Sequence, residues 1–211
     1  MLNSMTLTDI KKTKRGSYAL FFDGEFKFSI NDDVLISYKL TKDMIVDDYL
    51  FSELQRKSDI GRAKNKAYRY LSMRAHSREE LKKKLEREFD PLTSGLAVED
   101  IEKLGYIDDY SYAKSCLDYV IIRKKMSYRQ AEKYLSNKGI AREIISEILC
   151  DYKNNERAVL EEIIENNYKD KLNIKGYNKV FASLARKGFS PKDISDALQT
   201  FIGGDDDEYD Y

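Results

Sequence analysis

The 211-residue sequence predicts a mainly α-helical protein, in which three tandem three-helix repeats form a curved helical solenoid behind a small N-terminal extension with a β-hairpin. Two observations predict this class. Apolar residues recur at helical spacing from residue 62 onward, and related segments return along the chain at an interval near 50 residues. Such a period is typical of repeat proteins, whose units each need their neighbours to bury a core.

The N-terminal extension is predicted to be β-rich. Apolar and polar residues alternate over residues 25–30, directly after the apolar stretch 18–23, and an Asp-Gly pair lies between them, which is a strong hairpin signal. Residues 7–13 are predicted to add a strand, and residues 33–40 and 47–57 to be helical. The predicted domains are residues 1–60 for the extension, 61–109, 110–152 and 153–202 for the three repeats, and 203–211 for an acidic tail predicted to be disordered.

Helix-terminal residues mark the repeats. Ser77 and Ser127 lie 50 residues apart, and each begins a capping-box pattern with a Glu or Gln three residues later. Gly139 and Gly188 lie 49 residues apart, where each is predicted to end a helix in the left-handed conformation. Ser190 precedes a proline and is predicted to cap the last helix.

Composition excludes several protein classes. Glycine, proline and cysteine are too scarce for collagen-like, low-complexity or disulfide-scaffold chains, and no apolar run approaches the length of a membrane span. The two isolated cysteines, Cys116 and Cys150, are typical of a reducing compartment, so we expect a cytoplasmic protein. His76 is the only histidine, and no metal, phosphate-loop or nucleophile motif is present. The sequence therefore predicts no enzyme, no cofactor and no metal.

The charge is zero in total but strongly segregated along the chain. Residues 56–87 hold 12 basic and 4 acidic residues, and residues 112–142 hold 8 and 2. The third repeat continues the pattern more weakly, and acidic blocks separate the basic ones. Recurrence at matching repeat positions predicts basic ridges that suit a polyanion or an acidic groove on a protein.

Nine basic residues in the first two repeats are the candidate partner-binding or DNA-binding residues. The alternative is that they form solvated faces paired with neighbouring glutamates. The nine candidates are Arg74, Arg78, Lys82, Lys83, Arg123, Lys124, Lys125, Arg129 and Lys133.

The repeats resemble the RecX family of regulatory proteins. The residues that carry the resemblance are Ala67, Leu71, residues 77–81, Leu85, Ile101, residues 104–109, Tyr112 and Ala113, then residues 129–131, Leu135, residues 138–140, Ile144 and Ile145. The segment Gly105-Tyr106-Ile107-Asp108-Asp109 is the most specific element. Residues 18–29 resemble an extension found in one branch of the family, and the whole resemblance covers about residues 7–202.

The resemblance implies a modulator of the RecA recombinase, acting in DNA repair and the SOS response. Such a protein binds along the groove of the RecA–DNA filament and generally inhibits ATP hydrolysis and strand exchange, with no cofactor and no catalytic residues. The implied partners are a RecA-type filament and, weakly and within it, DNA phosphates. We expect a monomer that does not contact membranes. The zero net charge and the acidic tail depart from the family pattern.

Two other functions stay open from the residues alone. An independent nucleic-acid-binding helical regulator would bind naked DNA tightly at physiological salt. A general protein-interaction solenoid would be indifferent to nucleic acid.

Overall fold

The structure is a computed structural model that describes residues 4–169 and 176–202. The chain divides into two compact units, Met1–Ile107 and Asp108–Tyr211. The described part is mainly helical, with a small N-terminal antiparallel sheet, and this confirms the predicted fold class. The predicted acidic tail, residues 203–211, lies outside the described residues.

The first unit begins with a four-stranded antiparallel sheet in the order β3-β2-β1-β4. Its strands are β1 (Ser4–Lys12), β2 (Tyr18–Phe22), β3 (Glu25–Ile30) and β4 (Met44–Asp47). The predicted hairpin is confirmed: Asp23 and Gly24 have φ of 48° and 86°, the two positive values that a tight hairpin turn needs. The sequence patterns did not identify β4, which has only four residues and pairs with β1 from a distance along the chain.

Helix α1 (Asp32–Ser37) lies between β3 and β4, and helix α2 (Asp48–Met73) begins directly after β4. Helix α2 is one continuous helix, whereas the sequence suggested a change of character near residue 61. Its first half packs Leu54 on the sheet core, and its second half packs Ala63 and Ala67 on the next core. The helix is therefore shared by both cores, and the predicted domain boundaries stay a prediction.

Three groups of three helices form the rest of the described chain. The first combines the end of α2 with α3 (Arg78–Leu85) and α4 (Pro91–Lys103). In the second unit, α5 (Asp109–Asp118) continues into a π-helical turn (Tyr119–Arg123), followed by α6 (Tyr128–Asn137) and α7 (Arg142–Tyr168). The end of α7 packs with α8 (Tyr177–Arg186) and α9 (Pro191–Ile202).

Equivalent repeat positions are buried in each group. Leu85, Leu135 and Leu184 are each fully buried at the centre of their own core. The predicted caps also form: the Ser77 and Ser127 hydroxyls accept the amides three residues later, at 3.0 and 3.3 Å. The 50-residue period of the sequence therefore corresponds to a repeated packing unit.

Candidate nucleic-acid interface

The four candidate cations of the first unit all lie next to carboxylates. They occupy α3 and the loop before it, and each side chain is within 4 Å of an acidic group. The pairs are Arg74–Glu80 at 2.6 Å, Arg78–Glu102 at 2.8 Å, Lys82–Glu86 at 3.8 Å and Lys83–Glu79 at 3.5 Å. The alternative of solvated, paired faces thus describes the geometry here. Such exposed pairs contribute at most about 1 kcal/mol each, so a phosphate could still compete for these cations.

The candidate cations of the second unit have a different environment. Arg123, Lys124, Arg129 and Lys133 are exposed, and within the described residues none of them is in a salt bridge. Lys125 alone has a nearby carboxylate, that of Glu162 at 3.9 Å. The candidates therefore differ: those of the first unit and Lys125 lie beside carboxylates, whereas the other four candidates of the second unit have no salt bridge among the described residues.

The fold of the second repeat explains why these side chains face solvent. Ala131 and Leu135 are fully buried on one side of α6, which leaves Arg129 and Lys133 on its exposed side, one helical turn apart. Like charges four residues apart destabilise a helix by a few tenths of a kcal/mol. A bound anion would remove that repulsion, so the pair is suited to binding phosphate.

Lys124 lies in the loop between the π-helical turn and α6. Its ammonium is 5.7 Å from the centre of the Tyr119 ring, which is half exposed. A cation held over an aromatic face remains available to an anion, because the ring has no charge that neutralises it. Lys124 and Tyr119 therefore place a cation and a half-exposed aromatic ring before the start of α6.

Two further cations near this loop are not among the nine candidates. Arg186 and Lys187 belong to the turn that ends α8, and the Lys187 ammonium donates a 3.0 Å hydrogen bond to the Lys124 carbonyl. These residues are 63 positions apart, a separation that sequence patterns do not bridge. The available signal was the repeat itself, because Lys187 occupies the position of Lys138 in the preceding copy.

His76 has a structural environment. It is buried, its Nδ1 lies 2.9 Å from the Arg74 carbonyl, and its Nε2 lies 2.8 Å from the Lys84 ammonium. The Lys84 ammonium can only donate, so Nε2 accepts and Nδ1 carries the proton. Burial lowers the pKa of the imidazole, and the nearby charges of Arg74 and Lys84 lower it further.

Within residues 4–169 and 176–202, no group of three or more His, Cys, Asp or Glu side chains could hold a metal ion. Cys116 is half-buried and Cys150 is exposed. The helices described here are all too short or too polar to cross a membrane.

Comparisons with known proteins relate this chain to a protein family. A family model described as "RecX, first three-helix domain" matches residues 63–93, which span the end of α2, all of α3 and the first residues of α4. The "Regulatory protein RecX" of Listeria monocytogenes is 26% identical over 196 residues, covering 92% of this chain and 70% of the relative. The "Regulatory protein RecX" of Streptococcus gordonii is 29% identical over 199 residues, covering 92% of this chain and 76% of the relative.

Two solved structures share the fold. A crystal structure of regulatory protein RecX superposes with a TM-score of 0.71 at 21% identity, covering 90% of this chain and 97% of that one. A crystal structure of RecX from Lactobacillus salivarius superposes with a TM-score of 0.55 at 26% identity, covering 68% of this chain and 97% of that one. The helical-repeat architecture is thus common to this chain and both structures.

Proposed function

We propose, from the premise that this chain belongs to the RecX family of regulatory proteins, that it binds the RecA–DNA filament and inhibits ATP hydrolysis and strand exchange. The observation that carries the proposal is the pair Arg129 and Lys133, which are exposed, one turn apart on α6 and without a salt bridge within the described residues. Exposed cations of this kind contact phosphates, and the released counterions drive binding.

We expect inhibition because the chain would bind one arrangement of the filament subunits more tightly than the others. A regulator that touches neighbouring recombinase subunits binds best to one arrangement of them. It therefore stabilises that arrangement and opposes the rearrangement that each ATP turnover requires. Contacts to DNA phosphates through α6 would add affinity without reading base sequence.

The test is the rate of ATP hydrolysis by RecA on single-stranded DNA. The wild-type chain is compared with the double variant Arg129→Ala/Lys133→Ala. The control is Lys27→Ala/Lys103→Ala, which also removes two exposed positive charges. Each of these lysines lies beside a carboxylate, at 2.7 and 2.6 Å. We expect inhibition by the wild type and the control, and a need for about tenfold more protein with the Arg129/Lys133 variant, the equivalent of about 1.4 kcal/mol.

Each outcome has a distinct meaning. An ATPase rate unchanged by stoichiometric wild-type protein would contradict the proposal. Tighter binding to free DNA than to the filament would favour an independent nucleic-acid regulator. Filament binding that is unaffected by the double variant and by salt would favour a protein-interaction solenoid, because phosphate contacts always weaken with salt.

A further inference from the structure

The loop between the π-helical turn and α6, residues 124–127, has a backbone that needs support. Lys125 has φ of 50°, in the left-handed region that costs a residue with a side chain about 1 kcal/mol. The amides of Lys124 and Met126 donate to carbonyls of the preceding turn, at 3.2 and 3.1 Å. Two of the loop carbonyls accept hydrogen bonds from other elements, that of Lys124 from the Lys187 ammonium and that of Met126 from the Tyr152 hydroxyl. Contacts outside the loop therefore help to hold its backbone in place.

Three hydrogen bonds join this loop and the start of α6 to the turn between α8 and α9. The Lys187 ammonium donates to the Lys124 carbonyl at 3.0 Å, and the Ser127 amide donates to the Lys187 carbonyl at 3.0 Å. The Gln130 side-chain amide donates to the Arg186 carbonyl at 2.6 Å. The second and third repeats therefore hold each other at this point through reciprocal bonds.

Gly188 allows the close approach. Its φ is 88°, and a Cβ at this position would lie 2.5 Å from the Ser127 hydroxyl and 2.6 Å from Cγ of Gln130. Both distances are shorter than real Cβ contacts, so with any other residue either the turn or the Ser127 and Gln130 side chains would have to move. Glycine at position 188 therefore lets the turn pack directly against the basic loop and the start of α6.

The charges at this junction are mostly positive. Arg186 is exposed, and the half-buried Lys187 ammonium uses one of its three donors on the loop, which leaves two for a ligand. Two carboxylates also contact the loop region. That of Glu156 accepts the Tyr128 amide at 2.7 Å, and that of Glu162 lies 3.9 Å from Lys125. Neither lies within salt-bridge distance of Arg186 or Lys187 among the described residues.

We propose that the turn between α8 and α9 completes the nucleic-acid interface of the second repeat. Lys187 acts as a positioning residue for the basic loop, and together with Arg186 it contacts the phosphodiester backbone of single-stranded DNA. The inference deepens the proposed function and rests on it for the identity of the ligand. Backbone contact fits the chemistry, because the turn offers ammonium and guanidinium donors, which suit phosphate oxygens.

The experiment measures binding of a fluorescent oligothymidine to the full chain by anisotropy, across about 50 to 200 mM salt. The variants are Lys187→Met, which removes the bond and the charge, and Lys187→Arg, which retains a donor and the charge. Lys192→Met, an exposed lysine of α9 outside the turn, is the matched control. Circular dichroism melts establish that each variant is folded.

We expect Lys187→Met to bind about tenfold more weakly, and Lys187→Arg and Lys192→Met to bind like the wild type. The salt dependence identifies the positioning role. Loss of a single phosphate contact lowers the slope of log K against log salt by about 0.7 for single strands, and a residue that also positions Lys124 lowers it further. A decrease in this slope no larger than that of one contact would show that Lys187 contributes only its own charge, and it would overturn the positioning role.

Other outcomes separate this inference from the proposed function. Lys187→Met binding the oligonucleotide as tightly as the wild type overturns the inference, and so does a wild type that does not bind at low salt. In both cases inhibition of RecA by the wild type, weakened by Arg129→Ala/Lys133→Ala, leaves the proposed function standing. Conversely, if Lys187→Met binds the oligonucleotide more weakly while the wild-type chain leaves the RecA ATPase rate unchanged, that result supports the DNA interface and contradicts the proposed function.

Discussion

Replacing Gly188 with alanine places a methyl group where the structure has no room for it. The new Cβ would lie 2.5 Å from the Ser127 hydroxyl and 2.6 Å from Cγ of Gln130. Gly105 provides a matched control, because its φ of 77° is close to the 88° of Gly188 while no atom lies within 4 Å of its Cβ position. Both substitutions introduce the same backbone strain, and only Gly188→Ala adds a steric overlap.

The two contributions have different sizes. Alanine in the left-handed region costs about 1 kcal/mol at either position. Overpacking against the Ser127 and Gln130 side chains adds about 2 kcal/mol at Gly188, within the range seen when a methyl group is forced into a filled site. We therefore expect Gly105→Ala to lower the free energy of unfolding by about 1 kcal/mol and Gly188→Ala to lower it by about 3 kcal/mol.

Native-state hydrogen exchange measures the effect at the contact itself. The Ser127 amide donates to the Lys187 carbonyl at 3.0 Å, so its exchange reports opening of the turn away from α6. An extra 2 kcal/mol corresponds to about 30-fold faster exchange of this amide in Gly188→Ala. Equal losses of stability in the two variants, with unchanged Ser127 exchange, would refute the close approach of Gly188 to α6.

Two further predictions concern buried groups. The Tyr152 hydroxyl donates to the Met126 carbonyl in the basic loop, and burial raises the pKa of this phenol to about 12. Tyr152→Phe leaves that carbonyl without its donor and should lower the free energy of urea-induced unfolding by about 1 kcal/mol. Tyr119→Phe on the surface is the control and should not change it. Burial lowers the pKa of His76 below the ordinary value near 6.5, so the unfolded chain takes up the proton first and stability falls as pH decreases from about 6.5 toward the native pKa. His76→Gln should remove this part of the pH dependence, and an identical pH profile in urea unfolding would contradict the neutral, Lys84-bonded imidazole.

Local patterns predicted the parts of the fold that depend on short stretches of chain. The hairpin follows from Asp23-Gly24 between alternating residues, and the caps at Ser77 and Ser127 follow from their side chains. A complete capping box at Ser127 would also have the Gln130 side chain accept the Ser127 amide, and this part of the prediction was wrong. The Ser127 amide donates to the Lys187 carbonyl, and the Gln130 side chain donates to Arg186, so a tertiary contact replaces the local one.

The continuity of α2 could not be read from the sequence for a related reason. Gly61 within an otherwise polar stretch lowers helix propensity by about 1 kcal/mol, which favours a break. In the structure a Cβ at Gly61 would lie 3.6 Å from the Asn31 side chain, and the Ser58 hydroxyl donates to the Ser29 carbonyl at 2.7 Å. Packing of the helix on the sheet therefore outweighs the propensity.

The candidate cations divide between predictable and unpredictable environments. Lys82 and Lys83 each have a glutamate four residues away, a spacing from which a helical salt bridge can be predicted. Lys133 has no acidic residue three or four positions away on either side, so its lack of a helical partner was also readable. The partners of Arg78 and Lys125, in contrast, are Glu102 and Glu162, and only the tertiary structure brings those carboxylates close.

The zero net charge of the chain is compatible with a polyanionic ligand because of the range over which charges act. At physiological ionic strength exposed charges are screened beyond about 8 Å, so a phosphate beside α6 interacts with the cations of that face rather than with the total. Residues 112–142 hold 8 basic and 2 acidic residues, and Arg129 and Lys133 face solvent there without a salt bridge among the described residues. The compensating acidic residues reduce long-range attraction and hence the rate of encounter with free DNA. This charge distribution therefore slows the encounter with free DNA, but it leaves the local attraction between a phosphate and the α6 cations intact once the two are in contact.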